Sequence, residues 1–301
     1  MSWKGLLLAG GTGSRLYPLT GGTNKHVLPV FDKPMIYYPL STLMLADVRD
    51  IVVVSSPSGI KQIRALLGTG HQFGLRLSYV EQPRPGGVAE GLIVAEEQLT
   101  GHDVAMILGD NIFFGSGLER ILAAAKTNNR GATIFGYDIA NPSAYGIVTL
   151  RGGKPVDLVE KPRNSRSRMA VTGLYLYDKG ILDIARNLKP STRGELEITD
   201  VNRTYLRQGQ LDLRGLGRGT EWLDAGTPDD LFAASQFVQI FQIRTGLKIA
   251  APEEIAYRRG FIGRNDLSLV ISKMLASEYR SYLKKILDED DVQSDDTTAK
   301  K

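Results

Sequence analysis

The sequence holds no cysteine. Disulfides, thiolate metal centres and a cysteine nucleophile are therefore excluded. Histidine is scarce, with three among 301 residues. No apolar run approaches the roughly 20 residues of a membrane-spanning helix. The first such run, "GLLLA", is closed by Gly10 and Gly11 before it reaches the length of a signal core. Cytoplasm is the expected compartment, with no membrane partner. Dense lysine or arginine runs are also missing, so no nucleic-acid partner is expected. The net charge is +4 although residues 288–301 hold six acids and two lysines, so the rest of the chain is distinctly basic. Such a body suits an anionic substrate, and ordinary solvated surface would give the same balance.

What is present alternates. "KGLLLA" (4–9), "DIVVVS" (50–55), "LSYVE" (77–81) and "VAMILGD" (104–110) predict buried strands. Between them, 34–47, 58–68 and 87–99 predict helices. Strands alternating with helices argue for a parallel sheet covered on both faces, with functional loops at the carboxyl ends of its strands. Beyond about residue 130, short strands follow closely and predict added or antiparallel sheet, interrupted by a helix at 194–209. Helices are expected again at 229–245, 252–259, 266–276 and 278–288. The organisation expected is an α/β core over 1–228, a helical part packed on it over 229–287, and a disordered acidic tail over 288–301.

"LLLAGGTGSRL" (6–16) runs from the first strand into three glycines within four positions. Glycines admit positive φ and let phosphate approach backbone N–H groups. No Gly-Lys-Ser/Thr closes the pattern, so it is not a Walker loop, and Leu16 stands where a dinucleotide fingerprint needs its third glycine. A tight turn would need no ligand at all. Arg15 favours one, because a guanidinium matches phosphate oxygens. Lys25 follows in a Pro-bounded segment; taken alone it reads as a surface lysine.

Two acids stand at strand ends. Asp110 closes "VAMILGD" and Asp224 follows "EWL". Magnesium takes one or two carboxylates plus phosphate oxygens, so the pair suits Mg2+; a turn or N-cap aspartate is the plainer reading of each. Glu160 and Lys161 end "LVEKP". Within a strand they would point to opposite faces. At its end, both could reach one small ligand, the acid on a hydroxyl and the lysine on a phosphate.

In order, "LAGGTGSRLYPLT", "NKHVLPVFDKPMIYYPL", "EQPRPGGVAEGL", "LGDNIFFG", "VEKP", "AVTGLYLYD", "RGELEITDVN" and "WLDAGTPDDL" resemble the sugar-phosphate nucleotidylyltransferases. Within that family the short bacterial thymidylyltransferase branch is most similar, over residues 3 to about 260 and in kind to about 287. The resemblance implies a Rossmann-like three-layer α/β fold, with a mixed, mostly parallel sheet, a small added antiparallel sheet and a helical C-terminal part. It implies transfer of a nucleotidyl group from dTTP to glucose 1-phosphate, with pyrophosphate leaving, in deoxysugar and polysaccharide biosynthesis such as that of dTDP-rhamnose. A phosphate monoester is already largely dianionic near neutral pH, with a second pKa of about 6, and needs no general base. Catalysis would then rest on positioning and charge neutralisation.

The resemblance further implies that Arg15, Lys25 and Lys161 are catalytic. It puts Leu8, Ala9, Gly10, Gly11, Thr12, Gly13, His26, Gln82, Pro85, Gly87 and Asp110 around the nucleotide. Around the sugar phosphate it puts Leu108, Tyr145, Gly146, Glu160, Lys161, Val171, Thr172, Gly173 and Arg193. Asp110 and Asp224 would hold Mg2+. It implies a homotetramer, with the 229–287 part in assembly and in inhibition by a downstream sugar nucleotide at a second site. Tyr257, Phe261, Tyr279 and Tyr282 could supply that interface, or pack onto the chain's own core. Three positions depart from the family pattern: His26 and Glu90 replace glutamines, and Ala225 replaces a threonine. A titrating His26 beside phosphate would add pH dependence. Thymine and uracil differ by one methyl, worth about 1–3 kcal/mol, so some use of UTP is expected.

Overall fold

The computed structural model describes residues 2–298, with side chains through Glu289. Strand β1 (Trp3–Leu8) leads through a two-residue ribbon, β2 (Pro29–Val30) with β3 (Lys33–Pro34), to helix α1 (Tyr37–Leu45). Then come β4 (Asp50–Ser55), α2 (Pro57–Leu67), β5 (Arg76–Glu81), α3 (Glu90–Val94), α4 (Glu96–Leu99), β6 (Asp103–Leu108), β7 (Asn111–Gly115) and α5 (Leu118–Asn128). The second part holds β8 (Ala132–Asp138), β9 (Gly146–Arg151), β10 (Lys154–Glu160), β11 (Met169–Tyr177), α6 (Ile181–Arg186), α7 (Ile198–Arg207), β12 (Leu211–Gly215) and β13 (Thr220–Asp224). Four helices follow: α8 (Pro228–Thr245), α9 (Pro252–Arg258), α10 (Arg264–Lys273) and α11 (Glu278–Thr298).

The central sheet runs β10-β9-β11-β6-β1-β4-β5, with β8 on β11 and β12 on β8. β6, β1, β4 and β5 are mutually parallel. Following the pairings outward, only β10 and β11 run against the rest. Both faces of the sheet are covered, which explains the unbroken apolar runs of its strands. In β1, Leu7 joins one core with Val53 and Ile107, while Leu6 joins the other with Val52 and Met106. The first core continues through Leu267, Leu283 and Ile286, so α10 and α11 pack on the same layer as α1 and α5.

Local chemistry sets several ends. Ser56 accepts from Gly59 N–H at the start of α2, with Pro57 in the first turn. Thr227 caps α8 by accepting from Asp230 N–H, and Gly246 ends it at φ 70°. The helix expected over 87–99 is two short helices instead, α3 and α4, broken at Ala95. Tyr282 is buried, and Tyr257, Phe261 and Tyr279 pack against that same core, so these aromatics serve the chain's own interior. Among the apolar side chains left in solvent, four lie on α8 and just beyond it: Phe232, Ile240, Ile243 and Leu247. The acidic stretch expected to be disordered continues α11 through Thr298; the remaining three residues of that stretch lie outside those described. Among the described residues no helix is long and apolar enough to cross a membrane.

Candidate active site

The cleft opens where β1 and β6 end, as the topology requires. It holds about 380 Å3. Leu8, Gly10 and Gly11 form one edge, and Leu108 and Asp110 extend the floor. β11 enters this region from its own beginning, pairing Leu174 with Ile107. β9 meets β11 only at Ile147–Ala170, so the β9–β10 hairpin reaches past the start of β11 and walls the cleft with Tyr145, Gly146, Glu160 and Lys161. A second cavity of about 560 Å3 adjoins it, sharing Gly11, Lys25, Gln82 and Pro85, and includes Thr12. Together they form one long groove across the glycine loop.

The loop earns its glycines. Gly13 sits at φ 63°, where a β-carbon would lie 2.8 Å from Thr20, whose hydroxyl donates to Gly13 O at 2.9 Å. Leu16, which stands where a dinucleotide fingerprint needs its third glycine, is a buried anchor in a small core with Ile112 and Ala225. It pins the loop so that Arg15 crosses to the far wall. A β-carbon on Gly226 would lie 2.8 Å from the Arg15 guanidinium, beside Asp224.

Asp110 and Asp224 are brought together by the antiparallel β7–β13 ribbon. Its register sets Asp224 opposite Asn111, and Ala225 N–H donates to Asp110 O at 3.0 Å. Asp110 is buried and its carboxylate meets Lys25 Nζ at 2.5 Å. Burial would raise its pKa, but Lys25, His26 and the Asn111 amide together hold it well below the usual carboxylate range. Asp224 goes the other way. Burial first, then the charge of Asp110, pushes it up to about 7 against the pull of Lys25 and Arg15. Of the two acids, Asp110 is thus the one held ionised and Asp224 the one that takes up a proton as pH falls.

His26 corrects the expectation of a pH-sensitive imidazole. It is buried, and burial followed by the Lys25 charge lowers its pKa to about 3, against the pull of Asp110. Its Nδ1 lies 2.8 Å from Asn24 Oδ1, to which it donates, and its ring abuts Gly109. The imidazole is neutral throughout the working range. His26→Gln should therefore keep the parent's pH–rate profile from pH 5 to 9; a shifted acid limb in the variant would show that the ring titrates.

On the sugar side, Lys161 resolves how two neighbours reach one ligand. Its φ is 43°, which turns the chain at the end of β10 so that Lys161 and Glu160 both line the cleft. Lys161 N–H donates to Tyr145 O at 3.0 Å and steadies the turn. Glu160 accepts from Thr199 Oγ1 at 2.6 Å. Arg193 lines the cleft but sits among acids, donating to Glu197 at 2.8 Å with Glu160 and Glu195 close by. Val171 and Gly173 face the cleft on alternate positions of β11. Thr172 between them does not: its side chain is fully buried on the other face, and its hydroxyl has no hydrogen-bond partner. Expected in the sugar pocket, Thr172 turns its side chain away from the cleft, because side chains alternate along a strand. Ala9 lies beneath the loop, where its carbonyl accepts from Ser55 Oγ at 2.5 Å.

Some contributors escape sequence reasoning. Asn111 Oδ1 accepts from Gly173 N–H at 2.9 Å and from Trp222 Nε1 at 2.6 Å, joining three strands under the acids. Trp222 packs edge-on against Tyr145, with centroids 5.0 Å apart. Asn111 and Thr199 stand inside the motifs "LGDN" and "GELEIT", which is their only signal.

Residues 4–240 match the sequence pattern of the nucleotidyl transferase family. The chain is 50% identical over 286 residues to the glucose-1-phosphate thymidylyltransferase of Mycolicibacterium smegmatis, covering 95% of this chain and 99% of that one. It is 46% identical to the Neisseria meningitidis glucose-1-phosphate thymidylyltransferase, covering 94% and 99%. A crystal structure of a candidate glucose-1-phosphate thymidylyltransferase from Bacillus anthracis, in complex with sucrose, superposes with a TM-score of 0.73 at 38% identity, covering 78% of this chain and 95% of that one. A UDP-glucose pyrophosphorylase bound to UDP-glucose shares the fold, with a TM-score of 0.71 at 24% identity over 80% and 100% of the two chains.

Proposed function

This chain belongs to the nucleotidyl transferase family, and from that premise we propose that it joins dTTP and glucose 1-phosphate into dTDP-glucose and pyrophosphate. The observation that carries the reading is the groove itself: a glycine loop at one end, two adjacent carboxylates with Lys25 and Arg15 beside them in the middle, and Glu160 with Lys161 at the other. The product would supply deoxysugar biosynthesis, such as that of dTDP-rhamnose, in the cytoplasm.

A sugar-phosphate oxygen attacks the α-phosphorus in line, and the bond to the bridging oxygen of pyrophosphate breaks. No proton must move. The obstacle is repulsion between anions, and fixed cations lower it. Lys161 orients and neutralises the attacking phosphate, and Glu160 accepts from a sugar hydroxyl. Arg15 and Lys25 receive the charge that builds on the leaving pyrophosphate. Asp110 and Asp224 suit magnesium: two carboxylates, one without a hydrogen-bond donor among the described residues and raised by burial and by its neighbour's charge, ask for a cation. When bound, the ion would supply charge neutralisation and orientation of phosphate oxygens. Lys25 would then exchange Asp110 for phosphate.

Pyrophosphate release, measured for dTTP, UTP, CTP, GTP and ATP against several sugar 1-phosphates with Mg2+, tests the reading. dTTP with glucose 1-phosphate should lead, UTP should follow, and no release from any pair would overturn it. The exposed stripe of Phe232, Ile240, Ile243 and Leu247 supports a homotetramer, since apolar side chains at helical spacing favour burial against another copy. Ile243→Glu should lower the mass seen by light scattering; an unchanged mass would remove this face from the assembly.

A further inference from the structure

The departure at residue 90 has a consequence for which base the enzyme accepts. Glu90 is the first residue of α3, beside the base end of the groove. Its Oε2 accepts from Gln82 Nε2 at 2.7 Å and from Gly86 N–H at 2.9 Å. A β-carbon on Gly86 would overlap this carboxylate, so the glycine makes room for it. Arg84 Nε approaches its other oxygen at 3.4 Å.

A carboxylate only accepts, whereas an amide has one accepting and one donating end. The end of Gln82 that meets Glu90 is therefore its NH2. The second N–H of that NH2 points to Gly87 O at 3.5 Å. Both donors are engaged, and only Oε1 remains. It lies over the glycine loop, 2.8 Å from where a β-carbon on Gly10 would stand, in the cleft that both residues line. A glutamine at position 90 would permit either orientation of Gln82. A glutamate permits one.

We propose that Glu90 is a positioning residue for base selection: it locks the Gln82 amide so that a lone carbonyl oxygen meets the base, which selects an imide N–H, as in thymine and uracil, over the bare ring nitrogen of cytosine. This rests on the nucleotidyl transfer proposed above and deepens it. The acceptor is fixed before binding, so its orientation costs nothing when the nucleotide arrives. Sites that require a hydrogen-bonding group reject analogues lacking it by about 10^4-fold, far more than a methyl pocket can. Base polarity would therefore be read more strictly than the thymine methyl.

The test compares dTTP, dUTP and dCTP with glucose 1-phosphate in the parent, Glu90→Met and Glu90→Gln. dUTP and dCTP differ only on the edge that Gln82 would read. In Glu90→Met the amide loses its lock, and the kcat/KM ratio of dUTP over dCTP should fall by about tenfold or more, through KM and with kcat for dTTP retained. Glu90→Gln keeps the shape and should lower the ratio less, which covers the case in which the methionine variant fails to fold. A purely structural role would raise KM for dUTP and dCTP alike and leave the ratio unchanged, and that result would overturn the proposal. Failure of the parent with every nucleotide would instead overturn the underlying reaction, so the two failures are distinct.

Discussion

Asp224→Asn should inactivate the enzyme and stabilise it. kcat/KM is expected to fall by about 10^3-fold, the scale of losing a group that organises transition-state charge. The metal-free protein should unfold at higher temperature than the parent at pH 8. Asp224 is raised to about 7 in the fold because burial and the neighbouring Asp110 charge oppose its ionisation. An acid whose folded pKa lies above its unfolded value favours the fold at low pH, and that advantage is lost as pH rises through 4 to 7. Above 7 the fold carries the full cost of two adjacent charges. Asparagine removes that cost, so the gain should grow between pH 4 and 7, level off beyond, and amount to roughly 1–3 kcal/mol. Asp110→Asn should be equally inactive with the opposite effect on stability. Its carboxylate is depressed, so it stabilises the fold above pH 4, and its loss leaves the Lys25 ammonium without its partner. Thermal melts of both variants with EDTA from pH 4 to 8 separate these outcomes. A less stable Asp224→Asn at pH 8 would sink the account of paired repulsion.

Lys161→Gly should cost almost nothing in stability and most of the activity. The side chain is half in solvent, and its one ion pair, to Glu160, spans 3.9 Å. An exposed contact of that length is worth well under about 1 kcal/mol. The backbone at φ 43° is one that glycine adopts freely, and relief of strain roughly offsets the extra freedom of an unfolded glycine. The melting temperature should stay within a few degrees. The reaction loses the lysine that lines the sugar side of the cleft, and kcat/KM for glucose 1-phosphate should fall by about 10^2–10^3-fold, with kcat lowered along with the rise in KM. A variant that alters only the KM for dTTP would show that Lys161 belongs to the nucleotide half.

The strands of the first half were legible because burial on both faces writes long apolar runs, and their ends pointed to the site. What local pattern could not supply was pairing. Asp110 and Asp224 each read as a strand-end acid; only the β7–β13 register makes them neighbours. Lys161 looked like the last residue of a strand, and nothing in "VEKP" announces a left-handed turn. Asn111 reads as an ordinary turn residue until two distant N–H groups converge on it. Thr172 was legible and misjudged: alternation along β11 already sets it opposite Val171 and Gly173. The helix expected over 87–99 starts only at Glu90, because Gly87 takes φ 103°, with Leu196 backbone where a β-carbon would be.

The β7–β13 ribbon also ties competence to completion. Residues joined across it lie far apart in sequence, and such contacts close late because the intervening chain must be ordered first. The glycine loop and base pocket come from the first strands, and the second aspartate joins them only when this ribbon zips. Trp222, one of two tryptophans in the chain, sits in the ribbon with its indole N–H on Asn111. In a Trp3→Phe background its emission should therefore report the closing of the ribbon that sets Asp224 opposite Asn111.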